Sequence, residues 1–205
     1  MSFYADHVFP VVLDIATRPL MPQRKEIIAS AKGRVLEIGI GTGSNLPFYS
    51  EQATEIVGIE PDPAMLSKAQ QAAAKIRIAA TVKLAIDDAQ NLQFPDDSFD
   101  TVIMCLVLCT IPDPLKALQE AYRVLKPNGQ LIFLEHVRAP NNNIARLQNW
   151  ATPAWKHLGC GCHLNRDTEQ TLVAAGFQFL QITRYQHPKM MKLGASMIQG
   201  VAVKR

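Results

Sequence analysis

The segment Val35–Gly43 reads VLEIGIGTG. An apolar run enters it, glycines stand at 39, 41 and 43, and Glu37 sits inside. A short β-rich run ending in alternate glycines marks the carboxyl end of the first strand of an α/β sheet. Glycines there admit backbone angles closed to other residues and let a ligand approach the main chain. The spacing is G-x-G-x-G, and Ser44 stands where the dinucleotide fingerprint G-x-G-x-x-G places its third glycine. Glu37 sharpens the choice. A pyrophosphate about 4 Å from a carboxylate is repelled by roughly 1–4 kcal/mol, depending on the local dielectric. An ammonium group is attracted instead. S-adenosylmethionine (SAM) carries an ammonium and a sulfonium and no phosphate, so the stretch predicts a SAM site. An oxidoreductase binding NAD, which the same α/β pattern allows, is disfavoured by Ser44 and Glu37.

Outward from this stretch, apolar runs alternate with helical patterns. GRVLEIGI (33–40) is the first strand, and SNLPFYSEQ (44–52) reads as a short helix. TEIVGIE (54–60) is the second strand. Asp62 and Pro63 supply an N-cap and a first-turn proline for a helix running to about Lys75. ATVKLAI (80–86) is the third strand. FDTVIMCLVL (99–108) is the fourth, continuous in its apolar residues as a strand covered on both faces should be. Asp113-Pro114 opens another helix, in which Leu115, Leu118, Tyr122 and Leu125 recur at helical spacing. KPNG (126–129) stops that helix, and QLIFLEHV (130–137) is the fifth strand. NIARLQNWATPAWKHLG (143–159) reads as a helical insertion, TEQTLVAAGF (168–177) as a helix, and FQFLQITRY (177–185) and SMIQGVAVKR (196–205) as two closing strands. Strands separated by helices imply right-handed crossovers and a mostly parallel, Rossmann-like, doubly wound sheet. One domain is expected over residues 1–205, with a helical lid at 1–32 and the insertion at 138–167.

The tips of the next strands agree with the first. Glu60 ends the second strand, where an acidic side chain accepts ribose hydroxyls. Asp87-Asp88-Ala89 follows the third, where a carboxylate accepts an adenine amino group. Each acid alone is a solvated loop residue or helix cap; acids and glycines at three successive strand tips point to one ligand. The expected cofactor residues are Glu37, Gly39, Gly41, Gly43, Glu60, Pro61, Met65, Asp88, Ala89 and Cys105.

The chain has 205 residues, 48% hydrophobic and 19% charged, with a net charge of +3. Lys and Arg are scattered, which leaves no footprint for nucleic acid. The opening MSFYADHVFPVVLDIATRPL is interrupted by Asp6, His7, Pro10 and Asp14. It reads neither as a signal peptide nor as a membrane span. Cys105, Cys109, Cys160 and Cys162 are therefore expected as reduced thiols of a cytoplasmic protein. Cys160-Gly-Cys162-His163 lacks a second ligand pair, and Cys105 and Cys109 fall on the expected fourth strand, so no metal site is expected.

VLEIGIGTG, Glu60-Pro61, DDAQNLQFPDDSFD (87–100) and RVLKPNGQLIFLEHV (123–137) together resemble the class I SAM-dependent methyltransferases of the ubiquinone-biosynthesis-like group. That resemblance implies a seven-stranded sheet whose last strand is antiparallel. LVLCTIPDP (106–114), LEHV (134–137) and GCHLNRDT (161–168) are similar, more narrowly, to the methyltransferase-like seven family of alkyl-thiol methyltransferases. It implies a small, apolar acceptor, such as a thiol. A lipid or quinone is the alternative acceptor, and a non-catalytic SAM-binding module the alternative function. Animal members of that family begin with a hydrophobic anchor; no such segment opens this sequence, so any membrane contact is expected to be peripheral.

Methyl transfer from a sulfonium is an in-line displacement, which an enzyme serves mainly by aligning the acceptor and excluding water. A thiol acceptor, with a pKa of about 8.5, benefits from a base or a cation. His136, at the tip of the fifth strand, is the candidate base; its alternative role is a hydrogen bond to a loop carbonyl. His163 and Arg166 either shape the acceptor site or tie down the insertion. Tyr4, Phe9, Phe48, Trp150 and Trp155 either line an apolar pocket or pack a lid onto the sheet, with Tyr4 and Trp150 joining His163 and Arg166 as the candidate acceptor residues.

Overall fold

The strands are β1 (Gly33–Ile38), β2 (Ala53–Ile59), β3 (Thr81–Ala85), β4 (Phe99–Cys105), β5 (Leu125–His136), β6 (Gln178–Gln186) and β7 (Ser196–Val203). The computed structural model describes residues 3–204; Met1 and Ser2 of the expected lid and Arg205 of the expected last strand lie outside them. The strands form one seven-stranded sheet in the order β3-β2-β1-β4-β5-β7-β6. The pairs β1–β2, β1–β4, β2–β3 and β4–β5 are parallel, and β7 runs antiparallel to both β5 and β6. The last strand is thus the antiparallel one, as expected.

Burial follows position in the sheet. Val35 to Ile38 of β1 and Thr101 to Cys105 of β4 are buried without a break. The edge strands β3 and β6 bury no side chain fully. Central strands need apolar side chains on both faces, and edge strands do not. The two faces carry separate cores. Leu36, Ile38, Val102 and Phe133 pack with Ala117, Leu118 and Leu172 from α4 (Pro114–Val124) and α6 (Thr168–Ala174). Val35, Ile56, Ile103 and Ile132 pack with Ile27, Ile28, Leu66 and Ala69 from α2 (Met21–Ile28) and α3 (Pro63–Lys75). The helices α1 (Phe9–Thr17) and α5 (Asn142–Leu158) complete the set. Prolines punctuate the N-terminal segment: Pro10, Pro19 and Pro22 each occupy a first-turn position, which splits it into short helices.

The expected caps are present. Asp62 Oδ1 accepts from the Ala64 and Met65 amides at 2.7 and 3.1 Å, and Asp113 Oδ1 accepts from Lys116 at 3.0 Å. Three expectations fail. The fifth strand already begins at Leu125, so KPNG lies within β5 instead of preceding it. SNLPFYSEQ forms only a 3₁₀ turn at Leu46–Phe48. Asn45 and Tyr49, on either side of that turn, point inward to the buried Glu37 carboxylate. The fourth strand stops at Cys105, three residues short of Leu108. Leu106 takes a left-handed φ of 58°, and Glu135 Oε1 accepts from the amides of Val107 and Leu108 at 2.9 and 3.0 Å. A buried carboxylate replaces the missing ladder partner, so an apolar run continues as a loop without orphaned amides.

Candidate active site

The chain direction across the sheet reverses between β1 and β4. Ligands of open α/β sheets bind at the carboxyl ends of the strands at such a switch point. A cavity of about 750 Å³ opens there. Gly39, Gly41, Glu60, Pro61, Met65, Asp88, Ala89, Cys105 and His136 line it, so nine residues expected from the sequence meet in one place.

The glycine loop shows why a phosphate does not belong. The Gly41 and Asp62 amides donate to Glu60 Oε2 and Oε1 at 3.1 and 3.2 Å, and Asp62 already takes the first amides of α3. The wall presents the carboxylates of Glu60 and Asp62, and the Gly41 and Asp62 amides are taken by Glu60. Burial pushes the Glu60 carboxyl above its ordinary value against the pull of those amides. Asp87 and Asp88 add two more acids at the tip of β3. Gly41 has φ +58°, and a Cβ built there meets nothing closer than Met65 Cε at 3.8 Å. That leaves a path along the backbone for a nucleoside.

Two expected cofactor residues lie behind the wall. Glu37 is 1% exposed, and both its oxygens are taken, by Asn45 Nδ2 at 2.7 Å and Tyr49 Oη at 2.6 Å. Burial lifts its carboxyl to about 7 despite these bonds and the charge of Arg24. Glu37, expected to meet a cofactor ammonium directly, therefore lies off the cavity and is joined to it only through Asn45, which does line it. Gly43 is a packing glycine: with φ +82°, its Cβ would come 3.2 Å from Ala69 Cα and Ala72 Cβ of α3. The sequence reading missed Arg24. Its Nη1 donates to Asn45 Oδ1 at 2.8 Å, it lines the cavity, and its buried Nε has no hydrogen-bond partner. A single arginine in a short helix far from the glycines left no signal. The orphaned guanidinium nitrogen and the open backbone at Gly41 fit the carboxylate and nucleoside of SAM.

The acceptor side also needs correction. Trp150 is 80% exposed and faces away from the cavity, whereas Trp155 and Phe9 line it. Tyr4 donates its hydroxyl to the Leu158 carbonyl at 2.8 Å, clasping the N-terminal segment to the end of α5 instead of entering the cavity. His163 and Arg166 both turn to the loop after β4. The His163 amide donates to the Cys109 carbonyl at 2.8 Å, and Arg166 donates to the carbonyls of Leu108 and Pro112. These two residues fasten one loop to another, the alternative that the sequence left open.

His136 does reach the wall. It is 9% exposed, and its Nε2 lies 3.2 Å from Cys162 Sγ. Burial lowers its affinity for a proton, but the bond to Cys162 and the charges of Cys162 and Glu135 more than restore it, leaving it above the ordinary value. Cys109 joins this pair: the ligating atoms of Cys109, His136 and Cys162 all lie within 4.8 Å of one another. Cys109, expected on the fourth strand, lies in the loop after β4 and turns to His136 and Cys162, a grouping that the Cys160-Gly-Cys162-His163 spacing does not contain.

Comparison with known proteins agrees with this geometry. Residues 36–133 match the methyltransferase domain family. Thiol S-methyltransferase TMT1B of Rattus norvegicus is 36% identical, over 91% of this chain and 78% of its own. Thiol S-methyltransferase TMT1A of Homo sapiens is 33% identical, over 85% and 72%. The crystal structure of a putative methyltransferase from Bacillus halodurans superposes with a TM-score of 0.70 at 18% identity, over 90% of this chain and 98% of that one. Among the described residues no helix is long and apolar enough to cross a membrane. The chain is a SAM-dependent methyltransferase and belongs to the family that includes the thiol S-methyltransferases TMT1A and TMT1B.

Proposed function

We propose that the acceptor is a small apolar thiol and that the reaction is S-methylation. The observation that carries this reading is the pairing of His136 Nε2 with the Cys162 thiol on the cavity wall. The wall holds an imidazole that already engages one thiol, and an acceptor thiol entering the cavity competes for the same nitrogen. SAM, when bound, supplies a methyl group activated by its sulfonium. Arg24 takes the cofactor carboxylate, Glu60 the ribose hydroxyls and Asp88 the adenine amino group. Met65 and Ala89 flank the nucleoside, and Cys105 closes the floor, its thiol kept neutral by burial that raises it to about 11. His136 accepts the acceptor proton, which turns a weak nucleophile into a thiolate.

The N-terminal segment 1–32 and the insertion 138–167 act together as a lid in this reading. Val12 and Leu13 from α1 and Trp155 and Leu158 from α5 line the cavity, and the Tyr4–Leu158 bond fastens the two segments. Val11 and Trp150 are exposed and do not line the cavity, which suits peripheral contact with a membrane. A reducing, cytoplasmic setting suits both the four free cysteines and a thiol acceptor.

The test is transfer of labelled methyl from SAM to a small aliphatic thiol by the purified protein, with matched amine and phenol acceptors beside it. Label is expected in the thioether alone, and to be lost in His136→Ala while SAM binding persists. Transfer to the amine or phenol, with none to thiol, would overturn the acceptor assignment.

A further inference from the structure

We propose that Cys109, His136 and Cys162 form a zinc site whose fourth position takes the acceptor sulfur. Three observations carry it. The three ligating atoms lie within 4.8 Å of one another, close enough to share one tetrahedral ion with Zn–S and Zn–N bonds of about 2.3 and 2.0 Å. They come from three segments far apart in sequence: the loop after β4, the tip of β5 and the loop after α5. All three line the same cavity as the glycine loop, so a three-ligand site there keeps an open position on the side where substrate enters. Two thiolates and one imidazole are the donor set of soft divalent ions, and zinc is the redox-inert member of that class.

The surroundings support an ion at this position. Leu164 and Trp155 line the same cavity, and the Cys109 carbonyl is held by the His163 amide, which fixes the loop that carries the first ligand. Arg166, bonded to the Leu108 carbonyl, sits within electrostatic reach of Cys109 and Cys162. With two cysteine thiolates the ion's charge is cancelled. A third thiolate, from the acceptor, makes the centre singly negative, and Arg166 and the cofactor sulfonium offset that charge.

The acceptor half of the proposal rests on the thiol reading above. A zinc-bound hydroxide takes the proton of the entering thiol and leaves as water, and the thiolate sulfur occupies the vacated position. A lone pair on that sulfur forms the bond to the methyl carbon as the carbon–sulfonium bond breaks, with its electron pair going to the departing sulfur. The product thioether carries no charge, binds zinc weakly and departs; water returns and releases a proton to solvent, which restores the hydroxide. With the ion present, His136 is a ligand and the ion replaces it as the means of forming thiolate; without it, His136 acts as the base.

Cobalt(II) substitution separates these cases. Full-length protein, freed of metal by a chelator and kept reduced, is titrated with cobalt(II) and followed by its thiolate-to-cobalt charge-transfer and ligand-field absorption. About one equivalent is expected to bind with a tetrahedral spectrum and to be displaced by zinc. Cys109→Ser and Cys162→Ser should each abolish the spectrum while still binding SAM, which shows that they are folded; Cys160→Ser should keep it. Added 2-mercaptoethanol should shift the ligand-field bands, and zinc should raise methyl transfer by the metal-free protein at least tenfold. No charge-transfer band in the folded wild type, or an equal band in both serine variants, would overturn the site. Cobalt bound without a response to thiol would overturn the open position. Thiol methylation by the metal-free protein that zinc fails to raise would overturn the zinc proposal and leave the thiol reading intact, whereas metal binding without transfer to any thiol would overturn the thiol reading and the open position with it.

Discussion

Replacing Glu37 by glutamine removes a charge beneath the glycine loop with little change of shape. In the native protein burial lifts this carboxyl from 4.5 to about 7. The interval corresponds to about 3 kcal/mol. Its sign follows from proton linkage: the folded state holds the proton more tightly than the unfolded chain. The stability contributed by the neutral carboxyl is fully present below pH 4.5 and is lost as pH rises through about 7. Glutamine has no such dependence. It does bring an NH₂ group against two donors, Asn45 Nδ2 and Tyr49 Oη. Tyr49 can turn its hydroxyl to accept, so the mismatch costs on the order of 1–3 kcal/mol at every pH. Glu37→Gln should therefore be about 1–3 kcal/mol less stable than wild type at pH 4.5, and equal to it or up to about 2 kcal/mol more stable at pH 8. Urea unfolding of both proteins across this range gives the difference directly. Glu135, which burial also raises to about 7, is common to both proteins and cancels. A difference that stays flat from pH 4.5 to 8 would show that the native state does not hold Glu37 neutral, and the account of the loop's floor would fail.

Three further substitutions probe the cofactor half. Gly41→Arg should abolish SAM binding in calorimetry while circular dichroism stays native, because the new side chain enters open space at a strain of about 1–2 kcal/mol. Normal binding would refute the placement of the site. Gly43→Val should do the opposite: its Cβ meets the backbone of α3 at 3.2 Å, so the unfolding free energy from urea titration should fall by more than about 2 kcal/mol, the order expected for left-handed strain plus overpacking. Arg24→Gln should weaken SAM about 10- to 100-fold, the value of a charge-assisted hydrogen bond of about 1.5–3 kcal/mol. Unchanged affinity for SAM would remove Arg24 from the site.

The fold was legible because its signals are local. The glycine spacing, the Asp62-Pro63 and Asp113-Pro114 helix starts and the apolar runs each act within a few residues of chain. The same locality made the tips of β1 to β3 readable as a cofactor site. What failed was non-local. The end of β4 depends on Glu135, 30 residues past Cys105, supplying a carboxylate in place of a strand. The turn at Leu46–Phe48 depends on Glu37 needing two donors in the core. His163, Arg166 and Tyr4 are all capable of catalysis by residue type, and only tertiary contact shows that they bond to backbone carbonyls instead. Arg24 and the Cys109–Cys162 approach were hidden for the same reason: no spacing rule links residues whose partners arrive from another segment.

The short loop from Leu106 to Pro112 gains a wider meaning from its anchors. Glu135 grips it from inside the sheet, and His163 and Arg166 grip its carbonyls from outside. In the proposed assignment it is the seam between two halves of the cavity: a cofactor half drawn from residues before it and an acceptor half drawn mostly from residues after it. If that assignment holds, changes confined to 136–191 exchange the molecule being methylated while the donor site stays intact. A library varied only in that segment, screened for new acceptors at constant SAM affinity, would treat the seam as the joint it is.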